Sequence, residues 1–324
     1  MSRWKEYLQF DPIPPLISTK SKALQYHIEK ELLDLNPGPI KKLWDLQDAQ
    51  KILKRQREDG SWKYPSGKKE IRSQENYNLL ETYRQLGFLI ELFGFNKSHP
   101  SIRKAAEYIF SFQSEEGDIR GIYGNQYSPN YSAAILELLI KNGYENDIHV
   151  QNGLNWLLSV KQNDGGWAVP IRTHNAKYND VVNSKKILQP IRNKSFSYMI
   201  TGVVLRAFAA HSKYQNHPEV IEAGKLVLSK FFENDNYPDR RDKSYWTKFT
   251  FPFWFTDLLS SLDSLYHLGF TIKHPQIEKA LEWFKLQQQN DGGWNLKLLK
   301  GAKIQEYNLW INYLISNTLK RYIG

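Results

Sequence analysis

The stretch Gln162-Asn163-Asp164-Gly165-Gly166-Trp167 recurs along the chain and decides the fold. Close copies lie at 56–62 and 289–294, and a weaker copy at 113–119 has Ile119 in the place of the tryptophan. Glycine is the usual residue at the left-handed position that ends a helix. Each copy therefore predicts the end of one helix and a turn into the next.

Upstream of the copies, a histidine, in most cases followed by proline, opens a helical pattern. Proline suits the first turn of a helix because its missing N–H has no partner there. Apolar residues then follow at spacings of i, i+3, i+4 and i+7, which give a helix one apolar face. This pattern predicts amphipathic outer helices that begin near Lys42, Pro100, His149, Pro218 and Pro275.

A second and more apolar segment follows each turn. A helix with little polar face is normally a buried one, so we expect these segments to form inner helices. They are predicted at 74–93, 129–142, 195–211, 252–268 and 304–321.

Five outer–inner pairs predict an all-α fold, an (α/α) toroid of about five helical hairpins. The helix starts at 100, 149, 218 and 275 are separated by 49, 69 and 57 residues. Repeat lengths in an open solenoid are usually more uniform than this, so a closed ring is favoured. We predict one toroid domain over 41–324, with residues 1–40 forming a proline-rich arm and a helix packed on the ring. A long polar insertion at 168–194 is expected at one rim, where loops commonly carry function.

The pattern Gln-x-x-x-Gly-x-Trp, with the pairs Gln56/Trp62, Gln162/Trp167 and Gln289/Trp294, resembles the QW repeat of squalene-hopene and oxidosqualene cyclases. It is more loosely similar to the repeat of protein prenyltransferase β-subunits. The overall layout is most similar to bacterial and archaeal proteins grouped by prenyltransferase and squalene-oxidase repeats. The resemblance covers about 42–321 and implies the toroid fold. It leaves the activity open.

Two catalytic devices of these families are missing from the sequence. The resemblance implies an Asp-x-Asp-Asp acid at the start of an inner helix, but only Asp257 stands near that place, so it is the one candidate acid. Prenyltransferases hold zinc with Asp, Cys and His, and this chain has no cysteine. We therefore predict no metal and no cofactor.

Large aromatic residues stand near the start of each predicted inner helix. In a toroid they would crown one end of the central cavity, where aromatic faces bind cations and apolar ligands. Filling the ring without leaving a cavity is the alternative. The predicted ligand-binding residues of an apolar or isoprenoid-like small molecule are Tyr77, Tyr131, Tyr198, Trp254, Tyr307 and Trp310.

Two other functions stay open at the level of sequence. Lyases that cleave acidic polysaccharides also use αα toroids, and they need a base, an acid and a group that neutralises the carboxylate. The insertion offers His174, Tyr178 and Arg172 for these roles. The other alternative is a non-catalytic scaffold that binds protein partners on its outer surface.

Charge and hydrophobicity further limit the possible ligands and the cellular location. The 44 Lys and Arg residues against 34 Asp and Glu give a net charge of +10, which would suit an acidic ligand. The basic residues are scattered and no nucleic-acid motif is present. The sequence has no apolar run of signal-peptide length at its start and none of about 18 residues elsewhere, so we expect a cytoplasmic protein without a transmembrane segment.

Overall fold

In the computed structural model, residues 3–65, 74–182, 184–252, 255–299 and 304–324 are described, except for the side chains of 74–76, 179, 182, 304 and 305. Within these residues the regular structure is helical, and β-type pairing is limited to isolated bridges. None of their helices is long and apolar enough to cross a membrane. The predicted all-α fold is confirmed.

The chain packs as two compact units. One unit comprises residues 40–211, and the other comprises 1–39 together with 212–324. The N-terminal segment therefore shares a unit with the C-terminal third of the chain. The prediction of a single ring over 41–324 stays a prediction.

Short helices form the N-terminal segment. Ser21 caps α3, because its hydroxyl accepts a hydrogen bond from the backbone N–H of Leu24. Helix α3 continues as a π-helical turn, Ile28–Leu32, which packs on the last helix of the chain. The three helices are α1 Arg3–Tyr7, α2 Ile13–Ile17 and α3 Lys22–His27.

The unit of residues 40–211 alternates outer and inner helices as predicted. Its inner helices pack side by side, and each also contacts an outer helix. The outer helices are α4 Gln47–Leu53, α6 Pro100–Phe110 and α8 Ile148–Ser159; the inner helices are α5 Gln74–Phe93, α7 Pro129–Leu139 and α11 Tyr198–Ala210; the short helices α9 Pro170–Thr173 and α10 Tyr178–Val182 lie in the insertion.

The same alternation continues after residue 212. Here the two outer helices contact each other, and so do the two inner helices. The outer helices are α12 Pro218–Ser229 and α14 Pro275–Leu286, and the inner helices are α13 Leu258–His267 and α15 Ile304–Ile323.

Two predicted helix starts need correction. The first outer helix begins at Gln47 rather than near Lys42, because the chain first makes a 3-10 turn over Ile40–Leu43. That repeat also lacks the proline that opens α6, α12 and α14. The fourth inner helix was expected from 252 but begins at Leu258, since the side chain of Asp257 caps it there.

The repeated glycine does not end the outer helix, as the sequence predicted, but lies in the turn that follows it, six or seven residues after the helix end, in a left-handed conformation. Gly60 has φ +87° and Gly117 has φ +107°, backbone conformations that residues with a side chain rarely adopt. A Cβ atom at Gly60 would also lie 2.2 Å from the carbonyl oxygen of Lys104 in the next outer helix. The glycine therefore both turns the chain and lets adjacent repeats approach closely.

The repeated glutamine ties one hairpin to the next through backbone carbonyls. The Gln56 amide donates to the Gly60 and Ser101 oxygens at 2.9 and 2.8 Å, and the Gln113 amide donates to Gly117 and His149, both at 2.7 Å. In the last repeat this residue is Gln288, which bonds Gly292 and Phe10. The predicted pair Gln289/Trp294 is thus one residue out of register, because the Asn-Asp-Gly-Gly match favours Gln289 while the helix geometry favours its neighbour.

The repeated tryptophan closes the same turn from the inside. Trp62, Trp167 and Trp294 are buried, and each indole N–H donates to a carbonyl ten residues earlier, at the end of the outer helix. Their backbone N–H groups donate to polar side chains of the following inner helices, which are Thr82, Thr201 and Asn312. Each tryptophan thereby joins an outer helix to the next inner helix.

Candidate functional site

Tyrosine side chains converge at the start of the inner helices in the unit of residues 40–211. The ring centroids of Tyr64 and Tyr77 lie 5.0 Å apart, and the ring of Tyr123 lies 5.2 Å from that of Tyr131 and 5.4 Å from that of Tyr178. All three contacts are edge-to-face, the preferred geometry of aromatic pairs. We call this set the tyrosine cluster: Tyr64, Tyr77, Tyr123, Tyr131 and Tyr178.

Tyr131 lies close enough to Tyr77 and Tyr178 for both to influence its pKa. Burial raises the pKa of the Tyr131 hydroxyl to about 12, and the neighbouring Tyr178 and Tyr77 raise it further, whereas a hydrogen bond with Tyr123 opposes the rise. Tyr131 therefore keeps its proton at neutral pH. All members of the cluster are half-buried, so ring surface remains open to solvent. The cluster is a neutral aromatic surface with hydroxyl groups along it.

The sequence predicted part of this cluster. Tyr77 and Tyr131 were expected to bind a ligand, and Tyr178 was expected as the acid or base of a lyase. Tyr64 and Tyr123 were missed because they lie in loops, before α5 and α7, where a search along helix starts does not reach. The short spacing of Tyr123 and Tyr127 before an inner helix was the available signal.

The other predicted aromatic residues lie elsewhere. Tyr198 is 1% exposed and is enclosed in the interior of its unit. Trp310 is equally buried in the other unit, where its ring stacks on Phe251 at 5.1 Å and 11°. Tyr307 is half-buried on α15, and Trp254 lies outside the described residues. Ligand binding by these four residues stays a prediction.

Asp257, the predicted catalytic acid, caps an inner helix. Its carboxylate accepts the backbone N–H of Ser260 at 2.8 Å, and the Ser260 hydroxyl accepts the backbone N–H of Asp257 at 3.0 Å. This reciprocal pair is a capping box. The side chain is 1% exposed. The geometry therefore gives Asp257 a structural task at the start of α13, and a catalytic role for it stays a prediction.

The capping role makes a definite prediction. We expect Asp257→Ala to lower the free energy of unfolding by about 1 kcal/mol, whereas Asp257→Asn stays within a few tenths because asparagine is an equally good cap. Urea denaturation followed by circular dichroism measures both values. An Asn variant as unstable as the Ala variant would show that the negative charge, and not the cap, is what this position needs.

The lyase residues lie close together in sequence, near the start of the insertion. His174 is exposed, and its Nε2 lies 2.8 Å from the carbonyl oxygen of Gln189, so it helps to hold the insertion together. Tyr178 belongs to the tyrosine cluster. Arg172 is half-buried on α9. The structure thus ties His174 to a loop carbonyl and Tyr178 to other tyrosines.

A buried ionic network connects the three inner helices below the cluster. Arg206 of α11 donates to the Glu137 carboxylate of α7 at 2.8 and 2.5 Å, and Lys141 bridges Glu137 to Glu91 of α5. Glu137 and Arg206 are almost fully buried. Burial alone would raise the pKa of the Glu137 carboxyl, but Arg206 and Lys141 outweigh it and hold that pKa below its ordinary value.

This network also includes one buried tyrosine outside the cluster. The Arg206 guanidinium is hydrogen-bonded to Tyr83, whose pKa is raised to about 12, mainly by burial. Sequence reasoning missed the network, although single charges inside otherwise apolar runs, Glu137 in 134–140 and Arg206 in 202–210, were a visible signal. Among the described residues, no three His, Asp or Glu side chains are placed to hold a metal ion.

Comparison with known proteins supports the resemblance. Residues 81–187 match the family model of the squalene-hopene cyclase C-terminal domain. The structure of a type II terpene cyclase, MstE from Scytonema, in its apo form, aligns with 83% of this chain and 94% of its own, at 12% identity and a TM-score of 0.34. The family match over residues 81–187 confirms the predicted resemblance to squalene-hopene cyclases, and the outer–inner helix pairs confirm an all-α fold of helical hairpins.

Proposed function

We propose that this protein binds an apolar or isoprenoid-like small molecule at the tyrosine cluster. The observation that carries the proposal is the convergence of five half-buried tyrosines from two inner helices and three connecting segments. Aromatic rings offer large contact surfaces at little conformational cost, and their hydroxyl edges tolerate water. Such a surface suits a ligand that is mostly apolar and partly wet.

The family match supports the same place in the chain. Residues 81–187 include Tyr123, Tyr131 and Tyr178, so most of the cluster lies within the segment that is similar to squalene-hopene cyclases. The proposal does not include protonation of an alkene. The one candidate acid, Asp257, serves as a helix cap.

The alternatives receive less support from the geometry. A lyase would need His174 and Tyr178 to act on one substrate, but His174 faces a loop carbonyl and Tyr178 is packed edge-on against Tyr123. A scaffold role does not explain why polar aromatic residues gather where they remain open to solvent. Both alternatives stay predictions.

Tyr131 provides the test of the proposal. It contacts Tyr123 and lies at the centre of the cluster, so Tyr131→Ala removes ring surface that the ligand would cover. We expect the Kd for farnesol, a neutral isoprenoid alcohol, to rise at least about tenfold, as the loss of one stacked ring implies. Isothermal titration calorimetry at neutral pH measures the change.

Two variants control this experiment. Tyr131→Phe keeps the ring and should bind farnesol within about twofold, because a neutral ligand surface needs the ring more than the hydroxyl. Tyr108→Ala removes a half-buried tyrosine of the outer helix α6, whose ring contacts that of Phe112. Equal weakening by Tyr108→Ala, or no binding by the wild-type protein, would contradict the proposal.

A further inference from the structure

The insertion at 168–194 carries half of the excess charge of the chain. It contains six Lys and Arg residues against one acid, Asp180, a net +5 out of the +10 of the whole protein. Charges scattered over a surface serve solubility, but charges gathered in one segment create a local field. The location of this segment therefore decides which ligand its positive charge could attract.

Two glutamine side chains hold the insertion on the body of its unit. The Gln126 amide donates to the carbonyl oxygen of Lys186 at 2.8 Å, and its oxygen accepts the backbone N–H of Leu188 at 3.0 Å. The Gln162 amide donates to the carbonyl oxygens of Ile191 and Lys194 at 2.8 and 2.9 Å. The backbone of this long segment is thus fixed at several points.

Gln162 stands one position later in its repeat than the glutamines that link hairpins, five residues before Trp167 rather than six. The glutamines of the first two repeats, Gln56 and Gln113, bond the first turn of the following outer helix. In the third repeat their position is taken by Lys161, and the amide of Gln162 bonds the insertion. The third repeat therefore holds the insertion with a glutamine from a neighbouring position.

The basic side chains of the insertion point outward. Lys177, Lys185, Lys186 and Lys194 are exposed. Within the described part of the chain, no ion pair of these four lysines is found, whereas exposed lysines such as Lys51 and Lys225 are paired with nearby acids. Their charge is available to a ligand.

The insertion also borders the tyrosine cluster. Tyr178, a member of the cluster, follows Lys177 directly. The turn Tyr123–Gln126 carries a second member, Tyr123, and ends at the glutamine that holds the backbone of Lys186. The backbone of Lys177 and the backbone of Lys186 are thus each tied to a segment that carries a member of the cluster.

We propose that the ligand of the tyrosine cluster is an anionic amphiphile, an apolar chain ending in a carboxylate or a similar acidic group, whose charge is bound by Lys177, Lys185 and Lys186. This inference rests on the proposed function and adds the chemical class of the ligand. The tyrosine rings would cover the apolar chain of the ligand. The lysines, which are flexible point charges, would attract its acidic head group without fixing the geometry of that group.

Matched ligands test the inference on the full-length protein. Farnesoate and farnesol share one chain and differ in the charge of the head group. At low salt we expect farnesoate to bind at least about fivefold more tightly than farnesol, and we expect this preference to shrink at high salt because exposed charges are screened. The double variant Lys185→Gln/Lys186→Gln should lose most of the preference while its Kd for farnesol stays unchanged.

The control is Lys54→Gln/Lys104→Gln, which removes two exposed lysines from the outer-helix side of the same unit. Its preference should equal that of the wild-type protein. Equal affinity for both ligands, or an equal loss in the control, would overturn the inference and leave the proposed function intact. Absence of farnesol binding, or indifference of farnesol to Tyr131→Ala, would instead overturn the proposed function.

Discussion

Trp167→Ala is expected to lower the free energy of unfolding by about 3–5 kcal/mol, the usual range for removing a buried tryptophan. The indole is 0% exposed and donates to the Leu157 carbonyl at 2.7 Å. Its loss leaves a cavity and also removes the shorter of two hydrogen bonds to that carbonyl, which keeps the 3.3 Å bond from the backbone N–H of Val160. Because the residue joins an outer helix to an inner helix, the damage falls on the contact that builds the repeat.

Urea denaturation of the purified variant measures the effect. Trp167→Phe retains part of the ring volume but no N–H donor, so it should lose less stability than Trp167→Ala. Trp44→Ala is the matched control: Trp44 is half-buried in the same unit and bonds Gly94 weakly, at 3.3 Å. If Trp44→Ala were as destabilising as Trp167→Ala, the repeat tryptophan would have no special structural role.

Arg206→Met should destabilise the protein by about 3–5 kcal/mol, because it leaves the Glu137 carboxylate buried without its main partner. The double variant Glu137→Leu/Arg206→Met removes both charges and should recover most of this loss, since hydrophobic replacement of a buried pair is commonly neutral. Thermal and urea denaturation of the three proteins give the coupling between the two positions. A double variant no more stable than Arg206→Met would contradict the view that the unpaired carboxylate causes the loss.

The same pair makes stability depend on pH. The pKa of Glu137 in the folded protein lies below its ordinary value of 4.5. A carboxyl of this kind stabilises the fold above its unfolded-state pKa, and the contribution disappears as the pH falls through the folded-state pKa. Wild-type stability should therefore fall more steeply below about pH 4.5 than that of the double variant, which lacks the group.

Periodicity and turn residues were sufficient to predict the helices. The predicted inner helix 74–93 matches α5 at both ends, because polar sequence before it and Gly94 after it bound the largely apolar run. The start of α13 was set instead by Asp257, whose cap overrides the apolar residues before it. Helix boundaries were thus predictable where the hydrophobic pattern sets them, and less predictable where the capping bond of a single side chain sets them.

The candidate site was only partly predictable, for two physical reasons. Glu137 and Arg206 are 69 residues apart, and the pairing of two charges on different helices depends on packing that no local pattern contains. Tyr123 joins the cluster through a loop, whose course depends on hydrogen bonds such as those of Gln126. The residue types predicted that aromatic side chains bind a ligand, but which rings lie together could be seen only in the structure.

The position of the Gln162 bonds has a consequence for how this repeat can vary. Gln162 lies just before the insertion, and the carbonyls that it binds belong to Ile191 and Lys194 at the far end. The insertion thus leaves and re-enters the helical framework at one place, as a closed excursion. Its length and charge are free to diverge among related proteins without displacing α8 or α11, so a fold with rigid repeats gains an exchangeable part beside its aromatic surface.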